Sequence, residues 1–207
     1  MSTAIELELD EGVNYLPVVL HFQPVLSMSD DQLFEFAQIN REWRIERDKS
    51  GDLTIMPPTG FDAGSRNSEL NRQLANWAKS SGQGKAFDSS TGFRLPNGAM
   101  RSPDAAWIRN TRIKKLTAKE RKKFAPICPD FVAELRSETD RLKTLKSKME
   151  EYIENGAQLG LLIDPLYKRV YCYRGDGTVE QLDDPATVSC EPVLPGFNLV
   201  LRDIWSA

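Results

Sequence analysis

Six charged side chains in the second half of the chain have types and spacing that suit chemistry. Asp104 closes the segment Ser102-Pro103-Asp104 and is followed by an apolar run, Ala105-Ala106-Trp107-Ile108. Glu134 sits inside a second strand-like run, Phe131-Val132-Ala133-Glu134-Leu135, where a carboxylate is costly to bury without a partner. Arg136 follows it by two residues, and a helical pattern then carries Lys143, Lys146 and Lys148 ahead of Tyr152. Two acids on neighbouring strands with a cation close behind make a candidate site for a hard divalent ion, with a charge-stabilising group beside it. Such a site suits phosphodiester hydrolysis, which needs a hydroxide near neutral pH and cations for the extra negative charge of the transition state. A plainer reading competes. Residues two apart on a strand share a face, so Glu134 and Arg136 could simply pair with each other.

The composition sets the bounds. The chain has 207 residues, 40% of them hydrophobic and 28% charged, enough for one domain with a real core. No apolar run approaches the ~20 residues of a membrane span, and the acidic start lacks the pattern of a signal peptide. Cys128, Cys172 and Cys190 are too few and too scattered for a zinc site or a disulfide framework, so a reducing cytoplasm is expected. With His21 as the one histidine, chemistry that needs a histidine base has a single candidate, which lies in an apolar stretch and is expected to be structural. The net charge of −3 is unevenly spread. Between Arg109 and Lys148 there are 13 Lys and Arg against 5 Asp and Glu. That asymmetry suits a polyanion partner, and equally a solvated helix face.

The elements that must position these residues follow from pattern. Residues 1–27 read as an arm, with a short apolar segment from Tyr15 to Phe22. Ser29 to Gln32 has capping-box spacing for a helix with Leu33, Phe36 and Ala37 inward. Trp43–Arg47 and Leu53–Met56 read as strands of a hairpin across residues 48–52. A helix over Ser65–Lys79 is expected from Leu70, Leu74 and Trp77, and places Glu69 beside that stripe. A strand or strand pair over Ala86–Leu95 and one strand over Met100–Ile108 follow. Thr117 to Glu120 repeats the capping-box spacing and predicts a short basic helix. Phe131–Leu135 reads as a central strand, Arg141–Asn155 as a helix, and Leu159–Ile163 as a buried strand. A hairpin spans Arg169–Leu182, and an apolar tail to Trp205 is expected to pack an edge. Trp77, Trp107 and Trp205 are expected in the core, and Asp88 either caps a turn or approaches the acids. The order is α/β with a mixed sheet, in a single domain with its core over residues 28–205.

Ser102-Pro103-Asp104, Phe131 to Ser137, Lys148 to Tyr152, Gly156 and Leu161-Leu162-Ile163-Asp164-Pro165 together resemble the PD-(D/E)XK nuclease superfamily. More closely, the chain resembles the Uma-two family of restriction-endonuclease-like proteins. The resemblance implies a mixed central sheet flanked by helices, preceded here by an N-terminal helix and hairpin, and an Mg2+- or Mn2+-dependent nuclease. It implies Asp104 and Glu134 as metal ligands and Glu69 as a helical glutamate added to the metal shell. Arg136 stands where the superfamily usually has lysine, and arginine is a poor proton acceptor. Lys148 then becomes a candidate to reach into the site. On this reading DNA is the partner, contacted by Arg112, Lys114, Lys115, Lys122, Lys123, Lys143 and Lys146, with a homodimer as a candidate assembly. The competing expectation is a nuclease-fold module that binds DNA or protein with weak catalysis or none.

Overall fold

The computed structural model describes residues 17–22 and 24–206. Most of the arm expected over residues 1–27 lies outside the described residues. His21, within them, hydrogen-bonds through Nδ1 to Asp52 Oδ2 at 2.6 Å and so ties the chain to the first hairpin.

A six-stranded sheet carries the later half of the chain. Its order is β11 (Val179–Asp183), β10 (Arg169–Arg174), β9 (Leu159–Asp164), β8 (Phe131–Leu135), β7 (Ala105–Arg109) and β4 (Gly84–Asp88). Only β8 and β9 run parallel, and the helix α4 (Leu142–Glu154) makes the crossover between them. β8 and β9 are apolar on both faces except for Glu134 and Asp164, because both faces are covered. The helix α2 (Phe61–Ser81) covers one face with Leu70 and Leu74, against Trp107, Phe131 and Ala133. α4 covers the other with Met149 and Tyr152, against Val132, Leu162 and Tyr171.

A second, five-stranded antiparallel sheet has the order β1 (Val18–Leu20), β3 (Leu53–Met56), β2 (Arg44–Arg47), β6 (Met100–Arg101) and β5 (Phe93–Arg94). The helix α1 (Asp30–Ile39) packs on it through Leu33, and the Ser29–Gln32 capping box is formed.

Three expectations need correcting. The strand expected over Met100–Ile108 is two strands in two different sheets. Pro103 has no N–H for a ladder, and the Ser102 N–H donates to the Glu46 side chain instead, so pairing stops there. Ser102-Pro103-Asp104 thereby passes the chain from the small sheet to the large one and leaves Asp104 at the junction. The second capping box forms between Thr117 and Glu120, yet only a 3-10 turn over Glu120–Lys122 follows, because the segment has no apolar stripe to bury. The tail covers a face rather than an edge. β12 (Thr187–Ser189), β13 (Asn198–Val200) and the short helix α5 (Arg202–Trp205) place Leu199, Leu201 and Ile204 in the core beside α2. Trp107 is fully buried, Trp77 and Trp205 pack against the same core, and Asp88 caps its own turn through the Ser90 N–H.

Candidate active site

β7 and β8 run antiparallel with Ala105 opposite Ala133, so one step further Asp104 stands opposite Glu134. Opposed residues share a face, and the two carboxylates therefore project to the same side of the sheet, towards α4. Asp104 Oδ2 accepts from the Leu135 N–H at 2.8 Å, and Oδ1 accepts from Arg44 Nη1 at 2.8 Å. Glu134 is 2% exposed. Its Oε1 accepts from Tyr152 Oη at 3.0 Å and from Lys148 Nζ at 2.8 Å. Lys148 and Tyr152 are four apart on α4, which puts both on the helix face that meets Glu134.

A third carboxylate belongs to this cluster. Glu46 on β2 is 3% exposed, and its Oε1 accepts from Lys148 Nζ at 2.9 Å and from the Ser102 N–H at 2.9 Å. Its Oε2 lies 3.3 Å from Arg101 Nη1, and Arg101 Nε bonds Glu151 at 2.6 Å. The ammonium of Lys148 thus bridges Glu46 and Glu134. The two glutamates respond to burial differently. For Glu46, burial pushes the pKa up, but Lys148, Arg101, Arg44 and the Ser102 N–H together hold it down at about 2. For Glu134, burial raises the pKa to about 7; Lys148 opposes the rise, and the neighbouring charges of Asp104 and Glu46 add to it. Burial would lower the pKa of Lys148, yet Glu134 and Glu46 outweigh it and keep the ammonium protonated. Burial likewise raises Tyr152, so its hydroxyl remains a donor.

The other expected residues lie elsewhere. Glu69 is not brought to the acids. Asn71 of α2 donates to the Asp104 carbonyl oxygen at 2.9 Å, and Glu69 is two residues away, about 200° round the helix. Its carboxylate is held by Arg72 Nε at 2.7 Å and by Gln73, which also reaches the Val200 carbonyl in β13. Arg136 does not pair with Glu134. It lies past the end of β8, where Nη1 bonds Asp164 Oδ2 at 2.8 Å and Nε bonds the Asp140 carbonyl at 3.3 Å. The basic residues do not crowd round the acids either. Lys114 and Lys115 are exposed and follow the C-terminal end of β7, five residues or about 17 Å from Asp104. Arg112 is committed there to Asp130 at 3.0 Å. Lys122 is exposed, and Lys123 reaches Asp31 at 2.8 Å beside α1. Lys143 is exposed on the first turn of α4, whereas Lys146 lies 4.1 Å over the Tyr171 ring.

The residues that sequence reasoning passed over are Arg44, Glu46 and Arg101. Arg44 and Glu46 are two apart and share one face of β2. Two opposite charges on one face of a four-residue strand were the available signal, since a face so charged needs partners when buried.

Asp104 lines a cleft of about 980 Å3, together with Arg44, Trp43, Phe61, Arg66 and Arg136. Among the described residues, no group of three or more His, Cys, Asp or Glu side chains is arranged to hold a metal ion. The pair Asp104 and Glu134 therefore does not fit an ion that demands an all-protein cage. Two carboxylates are the share that Mg2+ commonly takes from a protein, its remaining ligands being water and phosphate. Such an ion would have to displace Arg44 from Asp104.

Comparison with solved structures supports the fold. The chain is similar to a crystal structure titled as a "putative nuclease belonging to DUF820" from Anabaena variabilis, with a TM-score of 0.66 and 20% identity over 78% of this chain and 89% of that one. A looser likeness to the DrdV–DNA complex, at a TM-score of 0.37 and 12% identity over 59% of this chain and 12% of that one, carries no argument. None of the curated proteins matches. The family described as "Putative restriction endonuclease", Uma2, matches residues 30–202. With that match spanning most of the sequence, on a nuclease-like mixed α/β fold, the chain belongs to the Uma2 family.

Proposed function

We propose that the protein is a divalent-metal-dependent endonuclease that hydrolyses phosphodiester bonds in DNA. The observation that carries this reading is the facing pair Asp104 and Glu134, with Lys148 fixed on Glu134 and Asp104 open to the cleft. Asp104 and Glu134 are the residues that would hold Mg2+ or Mn2+, and such an ion supplies Lewis acidity and charge neutralisation at a phosphate. Lys148 keeps its proton, so it stabilises charge and does not act as a base. Arg44 is always charged and lines the cleft, so once displaced from Asp104 it can bind a phosphate oxygen. Arg66 adds a second guanidinium to the lining, and Trp43 and Phe61, 44% and 93% exposed, offer ring faces to bases. Arg136 is the partner of buried Asp164 and braces the end of β8 in the wall of the same cleft.

A second reading has its own observation. Arg44 already neutralises Asp104, and the Arg at position 136 is spent on Asp164, as in a nuclease fold used only to bind. Calorimetric titration with Mg2+ and Mn2+, run beside cleavage assays on plasmid and single-stranded DNA, separates the two. Saturable ion binding with cleavage, both lost in Asp104→Asn, is expected. DNA binding without cleavage under either ion would replace the endonuclease with the binding module.

A further inference from the structure

We infer that Glu46 is the positioning residue of the site: it fixes the Lys148 ammonium beside Glu134 and anchors the backbone that delivers Asp104. This rests on the nuclease reading for its catalytic meaning, but the geometry is independent of it. A lysine carries its charge on four flexible carbons, and one carboxylate leaves the ammonium free to swing. Here Nζ is held from two sides, by Glu46 Oε1 at 2.9 Å from one sheet and Glu134 Oε1 at 2.8 Å from the other. Two anchors on separate strands define a position that one does not.

The same Glu46 oxygen accepts from the Ser102 N–H at 2.9 Å, two residues before Asp104, at the point where Pro103 interrupts the ladder. Arg101 closes the arrangement from Oε2 and passes it to Glu151 on α4. The small sheet is thereby part of the site's support. A packing role alone would be better served by an apolar side chain, because an ionised carboxylate at 3% exposure is expensive unless its bonds are needed.

The test is a cycle of Glu46→Gln, Lys148→Gln and the double variant, with kcat for DNA cleavage, KM and Mg2+ affinity measured for each. Glutamine keeps an oxygen to accept from the Ser102 N–H and loses the charge that holds Lys148, so Glu46→Gln is expected to lower kcat by about 10–100-fold, the usual effect of losing an outer-shell partner, with KM and Mg2+ affinity unchanged. If Glu46 acts through Lys148, the double variant loses no more than Lys148→Gln alone. An unchanged kcat in Glu46→Gln, additive losses, or collapse of Mg2+ affinity would each overturn the inference, the last by making Glu46 a ligand. Should Glu46→Gln not fold, Glu46→Asp keeps the charge, withdraws it by one methylene, and is read in the same way. A second readout needs no cleavage: the Nζ resonance of Lys148 in metal-free protein, assigned by its loss in Lys148→Gln. It is expected to shift in Glu46→Gln, and an unmoved resonance overturns the positioning role. If the unmutated protein cleaves nothing while the resonance shifts, the endonuclease reading fails and the positioning of Lys148 stands.

Discussion

Replacing Glu134 with Gln is expected to stabilise the metal-free protein at neutral and alkaline pH and to leave its stability unchanged in acid. Glu134 is 2% exposed and is raised from the ordinary 4.5 to about 7, chiefly by burial. The folded state therefore binds its proton more tightly than the unfolded state does. Below pH 4.5 the carboxyl is protonated in both states, and its contribution to stability is fully present. As the pH rises through about 7 that contribution is lost, because the chain must then ionise a buried acid or unfold. The difference of about 2.5 pKa units corresponds to about 3 kcal/mol. Glutamine resembles the protonated form at every pH, so it escapes the loss. Urea denaturation of both proteins in chelator, from pH 4.5 to pH 8, should show equal stabilities in acid and a gap opening to about 3 kcal/mol at pH 8. Glu46, held at about 2, changes stability only below pH 4.5 and acts in both proteins, so it cancels in the comparison. Mg2+ should narrow the gap by stabilising only the protein that retains the carboxylate. Parallel curves for the two proteins across this range would refute the argument that burial governs Glu134.

Two further outcomes follow from the same structure. Arg136→Ala strips fully buried Asp164 of its cation and should destabilise the fold by about 3–5 kcal/mol, read as a fall in the urea midpoint; wild-type stability would show that Asp164 does not need the pair. Replacing exposed Lys114, Lys115 and Lys122 with Ala should leave kcat unchanged, because Asp104 and Glu134 are bonded instead by Arg44, the Leu135 N–H, Lys148 and Tyr152; each one that contacts a DNA phosphate lowers the log–log salt slope of binding by about 0.9, and an unaltered slope returns all three to a solvated surface.

Much of the local architecture was legible in the chain because it depends on neighbours in sequence. The Ser29 capping box, the Leu70 and Leu74 stripe of α2, the Met149 and Tyr152 stripe of α4, and the apolar runs of β8 and β9 follow from spacing alone. The runs after Asp104 and around Glu134 marked both strands, but only the antiparallel register of β7 and β8 sets the two acids opposite each other. What the sequence did not determine was which distant charges would meet. Glu46 lies 102 residues from Lys148 in the chain, and it reaches that ammonium only because Pro103 breaks one expected strand into two and brings the small sheet against the large one. Glu69 and Arg136 show the converse. Both have sequence positions that suit the site, but the rotation of α2 gives Glu69 to Arg72, and the end of β9 gives Arg136 to Asp164. An ion pair is chosen by proximity in space and by the cost of leaving a buried charge alone, and neither quantity is local to the chain.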